Sequence, residues 1–263
     1  MLRYFLELSF KGTKFSGWQI QDNANSVQAE INKALTVLCG TPTECTGCGR
    51  TDTGVHALQF FTHFDISEMK DAQQFLFQLN SILPFDIVIH QLHLVHDDAH
   101  ARYDARARTY QYFIHQNKNP FINEYSWHRC YDFDLMKMNE ACQLLFSHED
   151  FSCFSKSNHQ QKTNLCNITE AKWVRQNDLI IFTITSNRFL RGMVRAIVGT
   201  ILQVGTNKMR MDEINNVLKT GDRKEAGASV PAHGLFLTKI DYPYLQSSSS
   251  LITFLNNVHT KIL

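Results

Sequence analysis

Apolar positions alternate or cluster along this chain in segments short enough to separate strands from helices. Leu2 to Phe10 is dominated by apolar side chains and is followed by Lys11-Gly12-Thr13, so a strand closed by a turn is expected there. After Asn25 the spacing changes. Val27, Ile31, Ala34, Leu35 and Leu38 recur at helical intervals, Gly40 stops the pattern, and Asn25 with Gln28 forms the expected capping pair. Leu58 to Phe64 alternates Leu, Phe, Thr and Phe with Gln, Phe and His, the period of a sheet strand. A second helix is expected over Asp71 to Leu83, ended by Pro84.

Ile87 to Leu94 and Thr109 to His115 read as strands on either side of the arginine-rich segment His100 to Arg108. Leu135, Met138, Cys142 and Leu145 mark a helix stripe, and Ala171 to Val174 with Leu179 to Thr185 form a hairpin around Gln176-Asn177-Asp178. Met193 to Val204 is apolar enough for a buried helix, and Leu235 to Ile240 is the last strand. Hairpins with few helices favour an α+β fold with mainly antiparallel sheet. The element content predicts two ferredoxin-like halves, 1–105 and 106–245, with a tail over 246–263 that contains the run Ser247 to Ser250.

Composition narrows the class without naming a chemistry. The 263 residues are 43% hydrophobic and 19% charged, which excludes disordered and fibrous chains. The apolar run from Met193 to Val204 is broken by Arg195, Gly199 and Gln203, so a membrane span is not expected. Glu7 interrupts the amino-terminal apolar stretch and argues against a signal peptide; a cytoplasmic protein is expected. Seven cysteines, an odd count without scaffold spacing, point to reduced thiols. Cys45 and Cys48 make one Cys-x-x-Cys, and His90, His93 and His96 are evenly spaced. Neither set supplies the paired ligands of a zinc site, so no metal is expected. The net charge of +1 leaves the partner open.

Candidate chemistry concentrates in Gly47-Cys48-Gly49-Arg50-Thr51-Asp52-Thr53-Gly54-Val55-His56, a polar loop between two strands. Composition alone fits a solvated hairpin equally well, because Gly, Asp and Thr are also turn residues. Arg195 sits at the start of an apolar helix, where a cation is costly unless paired. Tyr110 and Tyr112 share one face of a strand, a pattern that plain sheet packing also produces.

The string Gly-Arg-Thr-Asp-x-Gly-Val-His resembles the signature of the TruA-type tRNA pseudouridine synthases. Other segments match that family in order: Gly12-Thr13-Lys14-Phe15-Ser16-Gly17-Trp18-Gln19, Ser26-Val27-Gln28, His100-Ala101-Arg102-Tyr103, Arg108-Thr109-Tyr110-Gln111-Tyr112, Phe189 to Arg195, and Gly234-Leu235-Phe236-Leu237. The resemblance spans about residues 4 to 242.

It implies two halves sharing one sheet around a central basic cleft, and an isomerase that turns uridine into pseudouridine in the anticodon stem-loop of tRNA. A homodimer is implied, and no cofactor. Asp52 takes the place of the catalytic aspartate, as nucleophile at the sugar carbon or as base at the 2′ carbon. Arg195 is implied as its cationic partner, and Tyr110 as the ring that stacks on uracil and helps remove the proton from carbon 5. Because a stacked base must be extruded, Arg50 is implied as the side chain that fills the vacated position. Substrate contacts are further implied for His100, Arg102, Tyr103, Arg106, Arg108, Arg191, Lys162 and Leu235, with Arg188 beside them on phosphates. Three positions depart from the family pattern: Asp104 follows the His-Ala-Arg element as an acid, Thr53 stands beside Asp52 in place of the commoner alanine, and Lys162 stands where arginine is frequent. A catalytically silent tRNA-binding protein or chaperone, and a nucleoside hydrolase, are the alternatives.

Overall fold

A computed structural model describes residues 1–156 and 163–245, which leaves Lys162 and the tail over 246–263 outside the described residues. The chain divides into two compact units, Met1–Arg106 joined by the segment that begins at Leu237, and Ala107–Phe236.

In the first unit, β1 (Leu2–Phe10) pairs antiparallel with both β3 (His56–Ile66) and β4 (Ile87–Val95), and the short β2 (Thr46–Gly47) pairs with β3. Tyr4, Phe5, Leu6, Leu8 and Phe10 are all buried, so β1 is covered on both faces. On one side, Phe10 meets Trp18 and Phe60; on the other, Phe5 meets Tyr242 and Tyr244. Glu7, the acid inside this apolar run, is buried with partners: Gln59 donates to it at 2.7 Å and His93 lies 3.0 Å away. Two helices, α1 (Val27–Cys39) and α2 (Ala72–Ile82), pack on each other, and α2 also packs on β4.

The α1 cap differs from the expected Asn25 and Gln28 pair. Ser26 is the N-cap, its hydroxyl accepting from Ala29 N at 3.3 Å. Gln28 instead ties loops together, accepting from Ile20 N and donating to Cys45 O. Asp71 caps α2 through Gln73 N and Gln74 N, with Leu83 at its end.

The second unit runs β5 (Ala107–His115), β8 (Leu179–Ser186) and β7 (Ile168–Gln176) antiparallel in that spatial order. The short β6 (Trp127–His128) pairs parallel with Ile114 and His115, so the sheet is mixed. Asn177, in the two-residue link from β7 to β8, has φ 53°. Against the sheet lies α3 (Leu135–Leu145), which packs on β7 and on the nearly wholly buried α4 (Met193–Gly205). A fifth helix, α5 (Met211–Thr220), packs on α3; its Ile214, Val217 and Leu218 are buried. The last strand, β9 (Leu235–Asp241), starts in the second unit and from Leu237 belongs to the first, where Ile240 N donates to the Gln59 side chain at 2.9 Å. With five helices and a mixed sheet among the described residues, the class is α+β.

Candidate active site

Asp52 lies on the loop between β2 and β3, half-exposed, with Arg50 exposed two residues before it. The loop is shaped largely by main chain. Val55 N donates to Asp52 O at 3.2 Å, Cys48 N to Phe61 O at 2.8 Å, and Gly54 N to Phe15 O at 3.4 Å. A second loop, Gly12 to Trp18, presses against it. Gly12 N donates to His56 Nδ1 at 3.1 Å, and the Trp18 ring stacks on Phe60 with centroids 4.1 Å apart. Gly17 has φ +89°, and a Cβ built there would stand 2.3 Å from Thr51 O and 3.3 Å from Asp52 C. Only glycine supplies both that backbone angle and that closeness. The segment Gly12-Thr13-Lys14-Phe15-Ser16-Gly17-Trp18-Gln19 therefore serves as the seat of the Asp52 loop. The second loop is fixed in turn to α1, through Ser16 N to Asn25 O, Val27 N to Gly17 O and Gln28 N to Trp18 O.

Also in the first unit, His100, Arg102 and Tyr103 come together in one tight turn. Asp104 N donates to His100 O, His100 N donates to the Asp104 carboxylate at 2.8 Å, and the N–H groups of Arg102 and Tyr103 both point at His100 Nδ1. Asp104 also accepts from the Tyr244 hydroxyl at 2.8 Å. Burial pushes the Asp104 carboxyl up, but the His100 N–H and the Tyr244 hydroxyl more than offset it and hold the group below its usual range. The acid that departs from the family pattern is thus the closing group of the turn. Behind it, His63 Nδ1 accepts from Ala101 N at 3.1 Å, and its ring meets that of His100 at 4.8 Å. Burial, then the neighbouring His100 and Arg3, drive the His63 imidazole down to about 4. Arg102 and Tyr103 are exposed, the guanidinium 5.8 Å from the ring centre, and Arg106 is exposed at the end of the unit.

In the second unit, the segment 187–195 gathers five of the expected residues. Arg108 donates through Nη1 to Asn187 O at 2.9 Å, and the Tyr110 ring meets Phe189 edge to face at 5.2 Å. Exposed Arg191 follows, its carbonyl accepting from Lys156 N at 3.1 Å, and Arg195 sits in the first turn of α4. Arg188 donates to Thr163 O at 3.2 Å. The two tyrosines of β5 part company. Tyr110 is half-exposed, whereas Tyr112 is fully buried, donates to Pro231 O at 3.0 Å and packs beneath Gly234. Burial raises the Tyr112 hydroxyl well above its ordinary pKa, so it is a packing residue with no proton to give near neutrality.

Arg195 is held at both ends. Its Nε donates to Val230 O at 2.7 Å, and its own carbonyl accepts from Val230 N at 3.2 Å. The strap 227–230 reaches α4 because a Cβ on Gly199 would lie 1.9 Å from Ala228 O; Gly227 N also donates to Thr200 Oγ1 at 2.8 Å. Leu235 is buried at the start of β9.

Residues 141–243 match the family described as tRNA pseudouridine synthase. A tRNA pseudouridine synthase A of Parabacteroides distasonis is 46% identical over 92% of this chain and 97% of its own length. This chain belongs to that family. A Bacteroides thetaiotaomicron relative of the same name is 43% identical over 92% of this chain and 91% of its own, and one from Limosilactobacillus reuteri is 39% identical over 92% and 97%.

In this pseudouridine synthase family member, several supporting positions carried no chemical signal of their own in the sequence. Val230, Gly199 and Gly227 were silent because a strap over a helix shows no periodicity, and His63 hid inside a strand pattern. Among the described residues no group of three or more His, Cys, Asp or Glu side chains is placed to hold a metal ion, and no helix is long and apolar enough to cross a membrane. Burial drives the Cys45 thiol up to about 12, His90 lies 2.9 Å from Ser9 Oγ, and His93 is taken by Glu7.

Proposed function

We propose that this chain isomerises uridine to pseudouridine in the anticodon stem-loop of tRNA, with Asp52 as nucleophile. The observation that carries the reading is the seat of Asp52: a carboxylate on a main-chain-clamped loop, in a chain that shares 46% identity with a tRNA pseudouridine synthase A along nearly all of both lengths. Attack of the Asp52 carboxylate on the ribose C1′ breaks the glycosidic bond and releases uracil as an anion. The base turns and its C5 attacks C1′, the ester bond to Asp52 breaks, the C5 proton leaves, and N1 takes up a proton. Abstraction of the 2′ proton by the same carboxylate, giving a glycal, uses the same residue.

Arg195, fixed by Val230, supplies the cation that a desolvated carboxylate requires, and Tyr110, half-exposed beside Phe189, supplies the stacking ring. Arg50 fills the space the extruded base leaves. The exposed cations Arg102, Arg106 and Arg191, with Arg108, His100 and Tyr103, line the phosphate path; Lys162 and Leu235 complete the substrate set. The wider reading is of two ferredoxin-like halves on a shared sheet with a basic cleft, acting as a cytoplasmic homodimer.

The test is tritium release from tRNA labelled at uridine C5. Asp52→Asn is expected to lower release by at least ~10³-fold while tRNA binding persists. Unchanged release would remove Asp52 from the mechanism, and a wild-type chain that binds tRNA without release would be the silent binding protein instead.

A further inference from the structure

The second unit carries another cluster of cations and rings, at the far end of β5 from Tyr110. Arg129 follows β6 directly, its N–H bonded to His115 O at 2.8 Å. Its guanidinium lies 4.0 Å from the centre of the Trp127 ring and 5.9 Å from that of Tyr131, and the Lys208 ammonium lies 5.4 Å from the same Tyr131 ring. Gln116 links the group, its amide donating to Tyr131 O while its oxygen accepts from Arg175. Tyr131, Lys208 and Arg175 are exposed.

The charge is not spent locally. Among the described residues no carboxylate lies within ion-pair distance of Arg129, Arg175 or Lys208, whereas nearby Asp134 is engaged by Lys137 and by the start of α3. Asp132 is exposed beside Tyr131, and Asp178 accepts from Asn117. A solvated basic face leaves its cations loose. Here rings hold Arg129 and Lys208, and Gln116 holds Arg175, so part of the ordering cost of binding an anion is already met. Fixed cations with an exposed aromatic ring are the chemistry that a nucleic-acid strand satisfies, phosphates on the cations and a base or sugar on the ring.

We propose that this patch binds the phosphate backbone of tRNA away from the reacting uridine. The proposal rests on the reaction proposed above for the tRNA it names. The five residue steps from Tyr110 to His115 span about 17 Å of strand, about five times the ~3.4 Å rise per nucleotide of a stacked strand.

The experiment uses the full chain and an unmodified tRNA transcript, with filter binding over a salt series, single-turnover and saturating kinetics, and sedimentation. In Arg129→Ala/Lys208→Ala the Kd for tRNA is expected to rise about tenfold and the slope of log K against log salt to flatten by about 1.4–1.8, with kcat at saturating tRNA unchanged. Lys208→Ala alone, on an exposed turn that leaves folding intact, is expected to flatten the slope by about 0.7–0.9. Unchanged affinity and slope in both variants would overturn the proposal, as would a change in sedimentation without a change in tRNA affinity, which marks a protein interface. Tritium release by the wild-type chain keeps the two readings apart: release with unaffected binding in the variants sinks only the patch, and weakened binding without release sinks only the reaction.

Discussion

The Asp52 loop of the first unit and the Arg195 turn of the second are both held firmly, by different means. Asp52 is placed by main chain against main chain: Gly17 lets one loop touch another at Thr51, and Val55, Cys48 and Gly54 close the remaining backbone bonds. Arg195 is placed by its own side chain, whose Nε is bonded to Val230 O, with the strap behind it seated on Gly199. A carboxylate reaches only two bonds from its backbone, so its position is set by the loop. An arginine reaches much further and must be fixed near its tip.

The sharpest break in this comparison is Gly17→Ala. The added Cβ meets Thr51 O, and the backbone angle is unfavourable for alanine, so about 2–3 kcal/mol of stability is expected to be lost. A shift of the Asp52 loop by ~1 Å is expected to cut kcat about 100-fold, read by single-turnover tritium release. Gly199→Ala attacks the other side. Alanine favours the helix by ~1 kcal/mol, but the clash at Ala228 O outweighs this, and a net loss of about 1–2 kcal/mol in urea melts is expected, with a smaller fall in rate because the Arg195 tip can partly readjust.

Acid sharpens the contrast less strongly. His63 has its folded pKa lowered to about 4, against about 6.5 unfolded, so the unfolded chain binds the extra proton first. Its contribution is full above pH 6.5 and is lost as pH falls toward 4, by roughly 2 kcal/mol after allowing for solvent near the ring. Urea melts from pH 7 to 4 should show this fall, and His63→Gln should flatten it.

The strands and helices were legible because their signal is periodic: β1 runs from Leu2 to Phe10 as its apolar run does, and α4 follows the stretch from Met193. The cap of α1 was misplaced by one residue, since Asn25 and Ser26 are both good capping types and only geometry chooses between them. Helix α5 was passed over although Met211, Ile214, Val217 and Leu218 have helical spacing, because its exposed face is rich in Asp, Glu and Asn. Of the candidate site, motif strings pointed to Asp52, Tyr110 and Arg195. What seats them was not legible, because a close approach such as Gly17 to Thr51 joins residues 34 apart by contact alone. By strand periodicity alone Tyr110 and Tyr112 look alike; burial separates them physically.

The passage of β9 from one unit to the other implies an order of assembly. Among the described residues the second unit is contiguous, Ala107–Phe236, while the first lacks the buried Ile240 and Tyr242, and the Tyr244 ring against Phe5, until chain far beyond Arg106 has been made. At about 5–20 residues per second, the first unit waits roughly 7–27 s on the ribosome for its closing strand. Chains stalled with residue 236 just outside the exit tunnel should therefore yield a protease-resistant second unit and a digestible first one. The half that holds Asp52 is begun first and finished last.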